Sequence, residues 1–307
     1  MKNHRSEPDF LCIGMQKAGT GWLYDSLRLC PGYQMPPIKE LHFFDLNCLE
    51  REVRIGIDAD NWTQCRNLFS VTEKELSANP LDNPYRTALR RDREFAEGWV
   101  RFVNNGHGLD DYCALFSSKG SAVSGDITPA YSMLSDAEIS SIRSELPRLK
   151  IILLVRDPIG RAWSAFNMYV RGQLLSKEER KGSNVVRCLR EKTTLAALEQ
   201  FMALPGTRLR SFPSVTFSRW KSVFGERQLH VAFFQDIIDR PAGLIEDISS
   251  FLGVKLESPP VPAGNKKAKR PPAAIGDEHL AFLREYFLDE YRTVRALFPE
   301  CSAEWLI

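Results

Sequence analysis

The stretch "FLCIGMQKAGTGWLYDSL", Phe10 to Leu27, begins as an apolar strand and ends as a helix, with Lys17, Gly19, Thr20 and Gly21 in the turn between. A strand–turn–helix of this kind points the first N–H groups of the helix outward, with the positive end of the helix dipole behind them. The backbone N–H groups of Ala18, Gly19, Thr20, Gly21 and Trp22 are therefore expected to face a phosphate, and Thr20 adds a hydroxyl. Glycine at 19 and 21 lets a ligand approach the main chain closely. The spacing departs from G-x-x-x-x-G-K-[ST], because the lysine precedes the glycines. The competing interpretation is a tight structural turn with no ligand.

Three more apolar runs accompany this strand: Ala122–Ser124, Ile151–Val155 with Lys150 leading in, and Leu229–Phe234. All are short and nearly continuous rather than alternating, as in a parallel sheet covered on both faces. Helical patterns separate them. Trp22–Leu29 is closed by Pro31-Gly32, and Asp157 can cap a helix over Pro158–Val170 with proline in its first position. Leu244, Ile245, Ile248, Phe251 and Leu252 share one helical face, as do Leu280, Leu283, Phe287, Tyr291, Val294 and Phe298. The alternation predicts an α/β fold, a central parallel sheet with helices on both faces. The 307 residues are expected to form a single domain.

Composition narrows the function. The net charge of +2 offers no global field for nucleic acid, so any anion site is local. The seven cysteines are scattered without metal spacing, as free thiols of a reducing compartment would be. The N-terminal stretch has no apolar segment, and no run of eighteen apolar residues occurs. A complete chain would be cytoplasmic; an excised domain could come from the Golgi lumen. Asn61-Trp62-Thr63 forms a glycosylation sequon, read as chance. Residues 47–111 show no clear pattern. Arg171–Lys192 reads as a solvated helix or a lid, and Ser258–Pro272 as a Pro-rich loop carrying cations.

Two further motifs carry chemistry. In "IILLVRDPIGRAWSAF", Arg156 sits at the carboxyl end of a buried strand, where open α/β sheets bind ligands. It can grip a phosphate in a fork, and Ser164 can add a hydroxyl. Arg161 could instead pair with Asp157 and brace the turn. In "PPIKELHFFD", Pro36 to Asp45, the carboxylate of Glu40 and the imidazole of His42 stand beside aromatics, a setting that invites raised pKa values and proton transfer. The alternative is a loop with exposed charges anchored by Phe43 and Phe44.

Together these motifs resemble the sulfotransferases that use 3′-phosphoadenosine 5′-phosphosulfate (PAPS). "QKAGTGWLYDSL" resembles their 5′-phosphosulfate loop, "VRDPIGRAWSAF" their 3′-phosphate motif, and "KELHFFD" the catalytic stretch of the heparan-sulfate type. "SGDITPAY" and "LHVAFFQDIIDRPAGLIEDISSFLGV" are similar to later family segments. The resemblance implies a P-loop-like sulfotransferase fold and in-line transfer of a sulfuryl group to an acceptor hydroxyl, or to an amine, with release of PAP. It implies Glu40 as base, His42 as alternative base or orienting partner, and Lys17 as the cation on the leaving oxygen. It implies no metal. Asn265, Lys266 and Lys267, with Lys269 and Arg270, are expected to close over the nucleotide.

The acceptor implied is a sugar or oligosaccharide, on which Trp62, Trp99 and Tyr131 could stack; core packing is their other use. Gly21 replaces a frequent threonine, Ile127 a lysine of several heparan-type enzymes, and Gln235-Asp236 a common Glu-Asp pair. Two other functions compete: a phosphotransferase with a variant P-loop, requiring Mg²⁺ and a nucleoside triphosphate, and a non-catalytic PAP-binding module.

Overall fold

The computed structural model describes residues 6–46, 92–104, 108–176, 185–260, 274–299 and Trp305. Four parallel strands form one sheet in the order β2-β1-β3-β4: β1 is Phe10–Gly14, β2 Gly125–Ile127, β3 Lys150–Val155 and β4 Leu229–Phe233. β1 and most of β3 are fully buried, the physical reason for their unbroken apolar sequence. Because the chain moves from β1 to one side and then returns past it to β3, the crossovers reverse at the β1/β3 boundary. Ligands bind at such a switch point, beyond the carboxyl ends of the strands.

The helices gather around this sheet. After β1 comes α1 (Thr20–Leu27), then the one-turn α2 (Phe43–Leu46), α3 (Arg93–Asn104) and α4 (Leu109–Ala114). α5 (Asp136–Glu145) follows β2 and starts with a capping box between Ser135 and Glu138. α6 (Pro158–Tyr169) follows β3, with the Asp157 carboxylate accepting from the Gly160 N–H at 2.7 Å and Pro158 in the first turn. α6 runs on into a π-helical turn, Val170–Leu174. α7 (Val185–Lys192), α8 (Leu195–Ala203), α9 (Pro205–Leu209) and α10 (Pro213–Phe224) lead to β4. α11 (Phe234–Asp239), α12 (Pro241–Leu252), α13 (Asp277–Tyr286) and α14 (Leu288–Leu297) complete the described chain.

Several expectations shift. The second strand lies at Gly125–Ile127 rather than Ala122–Ser124. Val123 makes only an isolated bridge with Tyr33, and the ladder starts where Gly125 meets Phe10. A Cβ at 125 would fall 2.4 Å from the Phe10 carbonyl oxygen, so the glycine that weakens the strand signal is what permits the close pairing. The C-terminal apolar face belongs to two helices, α13 and α14, broken at Phe287, although Leu283, Phe287, Tyr291 and Val294 all remain buried. Trp99 and Tyr131 are in the core, 2 % and 0 % exposed, and so offer no ring to a sugar. Trp62 and the Asn61 sequon lie outside the described residues. No described helix is long and apolar enough to cross a membrane.

Candidate active site

The carboxyl ends of the four strands meet on one edge, and the loops leaving them build the site. β1 leads into the lysine turn. The Ala18 N–H is taken by the Met15 carbonyl at 3.1 Å, whereas those of Gly19, Thr20, Gly21 and Trp22 have no acceptor among the described residues. These N–H groups head α1, an arrangement suited to an anion. Gly19 caps the helix with a φ of 94°, and a Cβ there would lie 2.2 Å from Cδ1 of Ile237 in α11. Both the left-handed backbone and the packing against α11 demand glycine. The Thr20 hydroxyl bonds to no described group.

β3 lies beside β1, and the Met15 N–H donates to the Leu154 carbonyl at 2.7 Å. That pairing brings Arg156 to the lysine turn: its guanidinium donates to the Lys17 carbonyl at 3.0 Å and stacks 4.3 Å from the centre of the Phe234 ring. Gly160 lies beside it: a Cβ there would be in ordinary contact with its Nε at 3.5 Å, and would press instead on the capping Asp157 carboxylate at 2.9 Å. Gly160, Ser164 and Met168 stand four residues apart on one stripe of α6. At the far end of that stripe the Lys17 ammonium approaches the Met168 sulfur at 4.0 Å. Half-buried Ser164 lies between, its hydroxyl without a partner among the described residues. Arg161 does not pair with Asp157. It is 1 % exposed and donates to the Ser211 hydroxyl at 2.7 Å, while Asp157 caps α6 and accepts from Tyr291.

The third wall is the loop before α2. Glu40 contacts the Lys39 ammonium on one oxygen and faces Nε2 of His42 at 3.7 Å on the other. Nδ1 of His42 lies 2.9 Å from the buried Asp45 carboxylate. Asp45, His42 and Glu40 thus form a chain leading from the interior to the opening, where the Glu40 side chain is 37 % exposed. The loop hangs from the end of β2. Asp126, itself 1 % exposed, accepts from the Leu41 N–H at 3.3 Å, the Thr128 hydroxyl at 2.7 Å and the hydroxyls of Tyr131 and Tyr112 at 2.5 and 3.2 Å. The Tyr131 oxygen in turn accepts from the Phe43 N–H at 3.1 Å.

Electrostatics and strain mark the same place. Burial lowers the Lys17 ammonium, and the nearby cations Arg156, Arg171 and Lys39 lower it further. The raised pKa expected for Glu40 from its aromatic setting does not hold: burial would raise the carboxyl, but His42 and Lys39 outweigh it and hold it at about 2. Burial would lower the His42 imidazole, but the carboxylates of Asp45 and Glu40 hold it at about 9. At neutral pH the pair is therefore carboxylate and imidazolium. Among the described residues the non-glycine positions with positive φ are Lys17, Glu40, His42 and Ser258. Left-handed backbone at such residues persists only where the surroundings enforce it, and it concentrates at functional sites.

The structure therefore gathers Lys17, Gly19, Thr20, Gly21, Trp22, Glu40, His42, Arg156 and Ser164 at one strand edge. Asn265, Lys266, Lys267, Lys269 and Arg270 lie outside the described residues. Sequence reasoning did not single out Asp45, Asp126, Phe234 or Arg171. The i, i+3 spacing of His42 and Asp45 was a usable signal; the other three reach the site only through tertiary contacts. A separate open cavity of about 720 Å³ beside Phe43 and Phe44 has Asp110, Asp111, Glu138 and Glu145 in its wall, charges that repel a polyanion.

Solved structures and family models give the relatives of this chain. A sulfotransferase from Alicyclobacillus acidocaldarius superposes with a TM-score of 0.58 at 22 % identity, over 95 % of this chain and 96 % of that one. The sulfotransferase domain of the Synechococcus PCC 7002 olefin synthase gives a TM-score of 0.44 at 16 % identity, over 93 % and 97 %. No curated protein matches the sequence. The family described as "Sulfotransferase domain" matches residues 7–268, and with that span covering all four strands and the walls of the site, the chain belongs to the sulfotransferase family.

Proposed function

We propose that the chain, acting as one domain over residues 1–307, transfers a sulfuryl group from PAPS to a hydroxyl of a sugar or oligosaccharide and releases PAP. The observation that carries this reading is the pair of anion sites at adjacent strand ends. The free N–H groups at the start of α1 suit the 5′-phosphate of the donor. Arg156 and Ser164 suit a second phosphate on the ribose, which ATP lacks. Ile127 is 1 % exposed and apolar, so the acceptor lysine of several heparan-type enzymes has no counterpart at this position.

The chemistry follows from the charges. The acceptor oxygen attacks sulfur opposite the bridging oxygen of the phosphosulfate. One S–O bond forms as the other breaks, and the acceptor proton passes to Glu40. Lys17 neutralises charge growing on the leaving oxygen. The imidazolium of His42, backed by Asp45, orients Glu40 rather than taking the proton itself. Lys39 can turn from Glu40 toward the incoming sulfate, and the loss of that ammonium strengthens Glu40 as a base. The fixed loops supply positioning, worth several orders of magnitude in such displacements.

Calorimetric titration with PAP, 3′-dephospho-PAP and ATP tests the donor, and mass spectrometry of sugar acceptors incubated with PAPS tests the transfer. PAP binding far above the other two nucleotides, with an added sulfate mass on a sugar, is expected. ATP binding as tight as PAP would refute the donor assignment.

A further inference from the structure

Arg171 takes no part in the donor site as described, yet it stands beside it. It lies in the π-helical turn that continues α6, three residues beyond Met168. Such one-turn departures from α geometry often occur at functional positions. Its Nε is buried without a hydrogen-bond partner, and no carboxylate pairs with its guanidinium among the described residues. A buried N–H left unpaired costs free energy, and Arg171, unlike the deeply buried Arg161 whose Nε is also unpaired, stands where a ligand can reach its guanidinium. The residue is only half-buried, and its neighbour Met168 is 43 % exposed, so the place is open to a ligand.

Its position along α6 says which ligand. Gly160, at the start of the stripe, faces Arg156; Met168, at its end, meets Lys17. At about 1.5 Å of rise per residue, the stripe runs roughly 12 Å from the nucleotide side to the sulfur side. Arg171 continues in that direction by about another turn. It lies close enough for its charge to act on the Lys17 ammonium. Beyond the transferable sulfate, in that direction, comes the acceptor.

We infer that Arg171 is an acceptor-binding residue, and that the acceptor carries an oxyanion, such as a carboxylate or sulfate ester, next to the hydroxyl that receives the sulfuryl group. The inference rests on the proposed donor site and names the chemical class of the substrate at its far side. A guanidinium holds such a group with two parallel charge-assisted hydrogen bonds.

The experiment uses protein saturated with PAP, titrated with two matched probes, 4-nitrophenyl β-glucuronide and 4-nitrophenyl β-glucoside, which differ in one carboxylate. The wild type is expected to bind the glucuronide about tenfold or more tightly than the glucoside. In Arg171→Gln the preference falls to within about twofold, in Arg171→Lys part of it survives, and PAP affinity is unchanged in both. Equal binding of the two probes by wild type, or no binding of either, overturns the inference. So does a Gln variant that keeps the preference, or one that loses PAP affinity, since Arg171 would then serve the donor. Wild type that fails to bind PAP strikes at the donor reading itself, and the inference falls with it.

Discussion

Replacing Arg156 with alanine separates two roles of one side chain, a brace seen in the structure and the phosphate contact proposed for it. The guanidinium braces the lysine turn through its 3.0 Å bond to the Lys17 carbonyl and its stacking on Phe234. Its remaining N–H groups lie beside Gly160 at the start of α6, where the 3′-phosphate is proposed to bind. Losing the brace loosens the cradle for any nucleotide. A cation–π contact at a partly exposed site contributes about 0.5–1 kcal/mol, so this part should weaken every ligand by roughly two- to fivefold. Losing the phosphate contact removes a charged hydrogen bond of about 1.5–3 kcal/mol, a further tenfold to roughly hundredfold. The second loss falls on PAP alone. Calorimetry with PAP and with 3′-dephospho-PAP, on wild type and Arg156→Ala, reads the two parts directly. The expected pattern is a small loss for the dephosphorylated ligand and a loss at least tenfold larger for PAP. Equal losses for both would refute the second anion site and leave Arg156 as a brace only.

Other outcomes follow from the same geometry. Glu40→Gln should slow the single-turnover step by about 10²–10⁴-fold with PAP affinity little changed; near-normal turnover would remove Glu40 as the base. His42 is held at about 9, above its ordinary 6.5, so its bonds to Asp45 and Glu40 stabilise the fold fully below pH 6.5, and that contribution is lost as pH rises through about 9. Thermal melts at rising pH should show this loss in wild type and not in His42→Asn. Gly19→Ala should cost at least about 1–2 kcal/mol and weaken PAP. Trimming Ile237 to alanine beside it should relieve the 2.2 Å clash yet leave the φ of 94° strained, so denaturant titration of the double variant should show incomplete rescue. Asp126→Asn should lower stability by about 1–3 kcal/mol and reduce turnover more than PAP binding, because it loosens the loop carrying Glu40 rather than the cradle.

The parts of this fold that depend on neighbours in the chain were legible from residue order. β1, β3 and β4 announced themselves as apolar runs, and the Asp157–Pro158 start of α6 as a cap followed by proline. The lysine turn could be recognised as the glycine-bearing link between a strand and a helix before its geometry was known. β2 was misplaced because Gly125 and Asp126 are poor strand formers, chosen for a close backbone approach and for a hydrogen-bond hub. The break at Phe287 was invisible because the apolar stripe runs unbroken across it.

The amino-acid order by itself determined the strand–turn–helix units and the chemical types at their ends, since periodicity, capping and glycine placement act over a few residues. Only the tertiary structure decided which of those ends meet. Arg156 reaches the Lys17 carbonyl across 139 positions of sequence, and Leu41 reaches Asp126 across 85. The fate of Trp99 and Tyr131 was likewise open, because an aromatic ring packs as well in a core as on a sugar. Such contacts are set by strand order and by the burial of the sheet, and a local pattern of residues carries no information about which distant segment will lie against it.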